Sequence, residues 1–250
     1  MSGYESVKIL GVRVDKVTKV QALAEFEKLL SGSRCELIVT PNAEIVEKAS
    51  KTPKLRQIVN EEAALVIPDG VGLIYASKLK GDPIEEKVAG IDFARNMLSV
   101  FARRGTRLYL LGSKPGVAEQ AAEKMKELAP GLVICGTADG YFREEAPVIE
   151  KINEAGAEAL FVCLGAPKQE KFMFAHQNEL PTVRLMAGLG GSLDGFAGNV
   201  KRAPDWMIQA NLEWFYRLCK EPRRIGRMMR LPKYLIKATG NRQQATGNRK

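Results

Sequence analysis

Residues 107–136, RLYLLGSKPGVAEQAAEKMKELAPGLVICG, decide the fold. Two short apolar runs, RLYLLG (107–112) and LVICG (132–136), flank VAEQAAEKMKELA (117–129). In the middle piece Ala118, Ala121, Ala122 and Met125 recur at i, i+3, i+4 and i+7, the period of a helix burying one face. Strand, helix, strand at this spacing is a βαβ unit, which pairs its strands in parallel. The same alternation extends in both directions. Further runs are KILGVRV (8–14), ELIVT (36–40), ALVIP (64–68), ALFVCLG (159–165) and RLMAGLGG (184–191), and VQALAEFEKLL (20–30) is a second amphipathic stretch. Most runs are apolar throughout, as strands covered on both faces are. The expected fold is α/β, a Rossmann-like covered parallel sheet.

The pattern changes after Gly198. KRAPDWMIQANLEWFYRLCKEPRRIGRMMRLPKYLIK (201–237) has no strand-like run and carries both tryptophans, and Pro204, Pro222 and Pro232 divide it into two or three short helices. The end, with ATGNR at 238–242 and again at 245–249, has little to bury and reads as disordered. The expected organisation is an α/β catalytic body (1–199), a basic helical appendage (200–237) and a disordered tail (238–250).

Charge follows this division. Of 250 residues, 38 are Lys or Arg and 29 Asp or Glu; the first 199 hold 25 and 26 of these, the last 51 hold 13 and 3. The +9 net charge therefore belongs to the end of the chain. There Arg217, Arg223, Arg224, Arg227, Arg230 and Lys233 alternate with aromatic, Met, Leu and Ile side chains. Nucleic-acid binding, a solvated basic helix and docking on an anionic membrane surface all use such charge; the density of apolar residues favours the membrane. Cys35, Cys135, Cys163 and Cys219 are scattered and read as reduced core cysteines of a cytosolic protein. His176 is the sole histidine, so zinc ligation has no support. No signal peptide or spanning segment is expected.

In open α/β sheets ligands bind beyond the carboxyl ends of the strands. Six such ends carry small, polar or acidic residues: Thr40-Pro41-Asn42-Ala43-Glu44, Asp69-Gly70-Val71-Gly72, Ser113-Lys114-Pro115-Gly116, Thr137-Ala138-Asp139-Gly140-Tyr141-Phe142, Ala166-Pro167-Lys168-Gln169-Glu170 and Ser192-Leu193-Asp194-Gly195. Leu111–Gly116 opens into a helix and either holds a phosphate on free N–H groups or is an ordinary βα turn. Asp69 is either a general base or the N-cap of the helix starting near Gly72. Asp92 and Asp194 read equally as turn or cap residues, and His176 as a surface or packing residue. The seven aspartates include no Asp-x-Asp, so a diphosphate here is expected to meet fixed positive groups and helix termini.

These motifs, with Val88-Ala89-Gly90-Ile91-Asp92, Leu164–Glu170, Gly190–Asp194, Arg202-Ala203-Pro204 and Leu212–Leu218, resemble the WecG/TagA/CpsF family of bacterial glycosyltransferases from about residue 8 to residue 230. The resemblance implies an inverting, metal-independent enzyme without a cofactor. Its donor would be UDP-N-acetylmannosamine and its acceptor undecaprenyl-diphosphate-linked N-acetylglucosamine, in wall teichoic acid linkage-unit synthesis. Members using the uronic-acid form, or other UDP-hexoses for capsule and exopolysaccharide, are the alternative; a nucleotide-responsive nucleic-acid-binding regulator is the rival from another class.

By the same resemblance Asp69 is the base that deprotonates the acceptor hydroxyl, and Thr40 and Gln169 are polar active-site residues. Asn42, Gly112, Asp139, Tyr141 and Glu170 are expected in the uridine diphosphate cleft. Arg217, Arg224 and Arg227 are expected to close over it from the appendage, at the inner face of the cell membrane. Lys87 stands where the family often has Arg, which keeps the charge but loses the bidentate fork. The exposed aromatic appendage and apolar helices are compatible with a homodimer.

Overall fold

In the computed structural model, residues 3–200 are described, together with 203, 204, 206, 207, 212, 215, 216, 219 and 234. Six strands form one sheet: β3 (Glu36–Val39), β4 (Ala63–Val66), β5 (Arg107–Gly112), β6 (Val133–Ala138), β7 (Ala159–Cys163) and β8 (Leu185–Gly188). Their spatial order is β4-β3-β8-β7-β5-β6 and every neighbouring pair is parallel. All six carboxyl ends therefore share one edge, as the expected α/β fold requires.

Side chains alternate between two cores. Ile38, Leu65, Leu108, Leu110, Phe161 and Ala187 pack toward one face, while Leu37, Val39, Leu111, Leu160, Val162 and Met186 pack toward the other. The first face is covered by α1 (Lys19–Leu30), α5 (Gly90–Arg104), α6 (Val117–Leu128) and α9 (Ser192–Phe196). The second is covered by α2 (Ala43–Lys51), α3 (Pro53–Gln57) with the π-helical turn Ile58–Glu62 that follows it, α4 (Val71–Lys80), α7 (Ala146–Glu154) and α8 (Lys168–His176). Local signals start these helices where the chain needs them. Thr18 closes a capping box with Gln21 at α1, and Asn42 Oδ1 accepts from Ile45 N at 3.0 Å to begin α2.

The run at 8–14 does not form one strand of this sheet. It folds back on itself as β1 (Ser6–Ile9) and β2 (Val12–Asp15), an antiparallel hairpin separate from the six strands. The reason is turn chemistry: Leu10 and Gly11 both take positive φ, 53° and 78°, the two-residue turn that matches the strand twist. From β2, Arg13 Nη2 donates to Ala63 O at 2.7 Å and Asp15 Oδ2 accepts from Val66 N at 3.0 Å, so side chains stand in for a missing neighbour along β4.

The opposite edge corrects another expectation. LVICG is not covered on both faces; β6 lies at the end of the sheet, with Val133 exposed and the rest half-buried. Cys135, on this strand, is accordingly only partly buried; Cys35, just before β3, is also partly buried, Cys219 is exposed, and of the four free thiols only Cys163 is fully inside. Among the described residues no helix is long and apolar enough to cross a membrane. Beyond residue 200, Trp206, Met207, Phe215, Tyr216, Cys219 and Tyr234 are helical. Arg217, Arg224, Arg227 and the segment 238–250 lie outside the described residues.

Candidate active site

The shared strand edge gathers the sequence-selected residues into two groups, joined by the end of β8. The first group surrounds Gly90, the opening residue of the 15-residue helix α5. A Cβ built on Gly90 would lie 3.3 Å from Thr40 Oγ1 and 3.6 Å from Asp69 Oδ2, so both side chains abut the same backbone. The loop carrying Asp69 is tied on two sides: Asp69 N donates to Pro41 O at 3.1 Å and Val88 N to Pro68 O at 3.0 Å. Half-buried Lys87 precedes that second tie. Gly70, not Asp69, is the cap position of α4, which removes the simplest cap reading of the carboxylate. The α5 terminus has no cap bond from the side chain of its N-cap residue, Ala89, and its dipole favours negative charge at this spot. Asn42 spends its side-chain oxygen on capping α2; Gly70 approaches it, with a built Cβ 3.8 Å from Asn42 Cβ.

The second group lies where β5 and β7 send their chains to opposite faces, the crevice at which such folds bind ligands. Gly112 takes φ +133° and a Cβ there would sit 2.3 Å from Cys163 O, so no side chain fits. Ser113, next in the chain, is held at φ 60° by three bonds. Its N–H donates to Cys163 O at 3.2 Å, its carbonyl accepts from Gly140 N at 2.9 Å, and its hydroxyl donates to Asp194 Oδ2 at 2.7 Å. Gly140 O in turn accepts from Lys168 Nζ at 2.9 Å, and that ammonium sits 4.0 Å from the centre of the Phe142 ring. Asp139 Oδ1 accepts from Tyr141 N at 2.7 Å, which folds the loop so that Tyr141 stands 67% exposed.

Between the groups lies the end of β8. Thr40 Oγ1 donates to Gly188 O at 2.7 Å, and Gln169 Oε1 accepts from Gly190 N at 3.0 Å. Both side chains are buried, and Gln169 Nε2 donates to Glu170 Oε1 at 2.9 Å. Glu170 itself is 1% exposed, and burial pushes its carboxyl above the usual carboxylate range. It therefore stands behind the wall of the cleft rather than in its opening. On α2, Lys48 Nζ donates to Ala166 O at 2.9 Å, beside the cis Ala166–Pro167 peptide.

His176 makes none of these contacts. Its Nε2 is 2.8 Å from Glu145 Oε2, its Nδ1 3.0 Å from Glu179 Oε2, and its ring packs against Phe172 at 4.8 Å. A hollow of about 430 Å³ lined by Tyr4, Glu5, Lys16, Thr18 and Glu85 shares no residue with the strand edge. Among the described residues no three His, Cys, Asp or Glu side chains are placed to hold a metal ion.

A carboxyl side chain at a helix terminus, a strand-edge crevice and small residues where backbone must approach a ligand make up the candidate site. The sequence profile of the glycosyl transferase WecG/TagA/CpsF family matches residues 7–248. The chain belongs to that family.

Among its relatives is the N-acetylglucosaminyldiphosphoundecaprenol N-acetyl-beta-D-mannosaminyltransferase of Bacillus subtilis (strain 168), 38% identical over 80% of this chain and 77% of the relative. The protein of the same name from Bacillus spizizenii is 36% identical over 82% and 79%. That from Staphylococcus aureus (strain MRSA252) is 30% identical over 94% and 93%. As a member of the WecG/TagA/CpsF family the chain is a glycosyl transferase. Ser113, Asp194, Lys168 and Gly90 emerge at its candidate site only from the fold. All four lie at strand ends or in the motifs of the family, but nothing local shows that Ser113 reaches Asp194 across 81 positions or that Lys168 anchors Gly140.

Proposed function

We propose that this chain transfers N-acetylmannosamine from UDP-N-acetylmannosamine to undecaprenyl-diphosphate-linked N-acetylglucosamine, a step of wall teichoic acid linkage-unit synthesis. The names of the relatives support the transferred sugar and the acceptor; the UDP donor and the pathway step follow from the family resemblance. The observation that supports a site for it is the meeting of Asp69 Oδ2 and Thr40 Oγ1 on Gly90, at the terminus of α5.

In this reading Asp69 takes the proton of the acceptor hydroxyl as its oxygen attacks the anomeric carbon. The bond from that carbon to the diphosphate breaks in the same displacement, and UDP departs with the electron pair. One displacement inverts the α-linked donor to a β-linked product, so one base suffices. Gly112, Asp139 and Tyr141 line the nucleotide side of the crevice, with Asn42 toward the acceptor side and Lys87 near the diphosphate. Backbone N–H groups at helix termini, with Arg217, Arg224 and Arg227 of the appendage, neutralise the leaving group in place of a protein-held metal. The interleaving of basic and apolar residues in 200–237, with Trp206 and Phe215 exposed, supports docking of the appendage on an anionic membrane.

One assay tests this reading. The full chain is given UDP-N-acetylmannosamine, its uronic-acid form and other UDP-hexoses against a short-chain lipid diphosphate-N-acetylglucosamine, with products read by mass spectrometry. Asp69→Asn is expected to lower turnover at least about 10³-fold while UDP affinity stays within threefold, and EDTA is expected to leave turnover unchanged. A product with another sugar, or Asp69→Asn turnover near wild type, refutes the donor or the base respectively.

A further inference from the structure

The end of β8 is the middle of the sheet edge, and Gln169 is its outer brace. Two partners of opposite character fix how that amide is turned. Gly190 N–H can only donate, so it demands Gln169 Oε1; Glu170 Oε1 accepts, so it demands Gln169 Nε2. Reversing the amide would set N–H against N–H and oxygen against oxygen. Around the brace there is little slack: Gln169 Nε2 lies 3.0 Å from a Cβ built on Gly188. Glu170 makes this contact with one carboxyl oxygen alone. Its Oε2 is buried and has no hydrogen-bond partner among the described residues, an unusual expense for an acid inside a protein.

We propose that Glu170 is a positioning residue that acts through Gln169: its Oε1 holds the Gln169 amide in the one orientation that seats Gly190, and so sets the shape of the Gly188–Gly191 wall between the Asp69 and Gly112 sides of the cleft. This role rests on the proposed transferase site. It departs from a nucleotide contact by Glu170, because the carboxyl is shut off from the opening and its working oxygen is already engaged. What the site needs from residue 170 is an acceptor at a fixed reach rather than the negative charge that Lys48 of α2 favours.

Two conservative variants separate reach from charge. Glu170→Gln keeps an acceptor at the same distance and replaces only Oε2, which has no hydrogen-bond partner among the described residues; it is expected to keep kcat/KM for the sugar nucleotide within threefold of wild type. Glu170→Asp keeps the charge but withdraws the acceptor by one methylene, and is expected to lose about tenfold or more. In a Gln169→Ala background, itself impaired, Glu170→Asp is expected to add less than twofold, since the group it acts through is gone. Melting temperatures are measured for every variant. Glu170→Gln as damaged as Glu170→Asp, full activity in Glu170→Asp, or independent multiplication of the two effects overturns the positioning role while leaving the site reading intact. Wild-type activity in Gln169→Ala overturns both.

Discussion

Gly112→Ala puts the closest backbone approach at the candidate site to a quantitative test. Gly112 ends β5 in register with Cys163 of β7, and a methyl group there would meet Cys163 O at 2.3 Å, its carbonyl carbon at 2.5 Å and its Cα at 2.9 Å. Real Cβ atoms essentially never come within 3.0 Å of another heavy atom, so strand backbone must yield by about 0.7 Å. Backbone in the middle of a parallel sheet cannot swing aside as a side chain can. The collision costs about 1–3 kcal/mol on the scale of overpacked cores. The φ of +133° adds about 1–3 kcal/mol for a residue with a side chain.

Together these give about 2–6 kcal/mol, or a fall of about 4–24 °C in melting temperature for a chain of this size. Gly131→Ala is the control. It shares a positive φ, +90°, but its Cβ would meet nothing within 4 Å, so only about 1–2 kcal/mol of backbone strain applies. Calorimetric melting of wild type and both variants, with UDP binding measured below the transitions, reads the difference. Gly112→Ala is also expected to weaken UDP binding, because Cys163 O is the acceptor that seats Ser113. Equal melting temperatures for the two variants would refute the reasoning.

Two further predictions concern supports of the fold outside the candidate site. His176 is buried enough to disfavour its charge, yet the hydrogen bonds to Glu145 and Glu179 outweigh this and raise its pKa above 6.5. A raised folded pKa means the clamp stabilises fully below about pH 6.5 and fades as pH rises through the higher folded value. The melting-temperature gap between wild type and His176→Gln should therefore shrink from pH 6 toward pH 9, and a gap that widens with pH would contradict the clamp. Asp15 is 1% exposed, 3.1 Å from Arg13 Nε in an ion pair that lacks hydrogen-bond alignment, and it accepts from Val66 N. Asp15→Ala should cost about 3–5 kcal/mol in urea unfolding by stranding Arg13 and the β4 edge; a loss under 1 kcal/mol would refute that account.

Some of this architecture can be read from local pattern because its cause is local. The apolar runs at 36–40, 64–68, 107–112, 159–165 and 184–191 are strands covered on both faces, and helical periodicity at 20–30 and 117–129 needs no distant partner to be recognised. The hairpin at 8–14 escaped that reading because Leu10 looks like a strand residue, and only its positive φ beside Gly11 makes the turn. The place of LVICG at the open end of the sheet is equally illegible, since strand order is a property of which runs pair.

At the candidate site, sequence alone placed the candidate residues at strand ends and anticipated the single shared edge, because parallel pairing sends every strand's carboxyl end the same way. It determined the basic end of the chain as well, which is a matter of composition. Tertiary structure decided the rest. Asp69 and Thr40, 29 positions apart in the chain, meet because β3 and β4 pair in parallel and Gly90 brings the start of α5 against both. Glu170 turns inward while its neighbour in sequence braces Gly190, a choice set by which face of α8 packs on the sheet. Local pattern reports what each segment can bury; which partners it meets depends on contacts between segments, and those exist only once the sheet has formed.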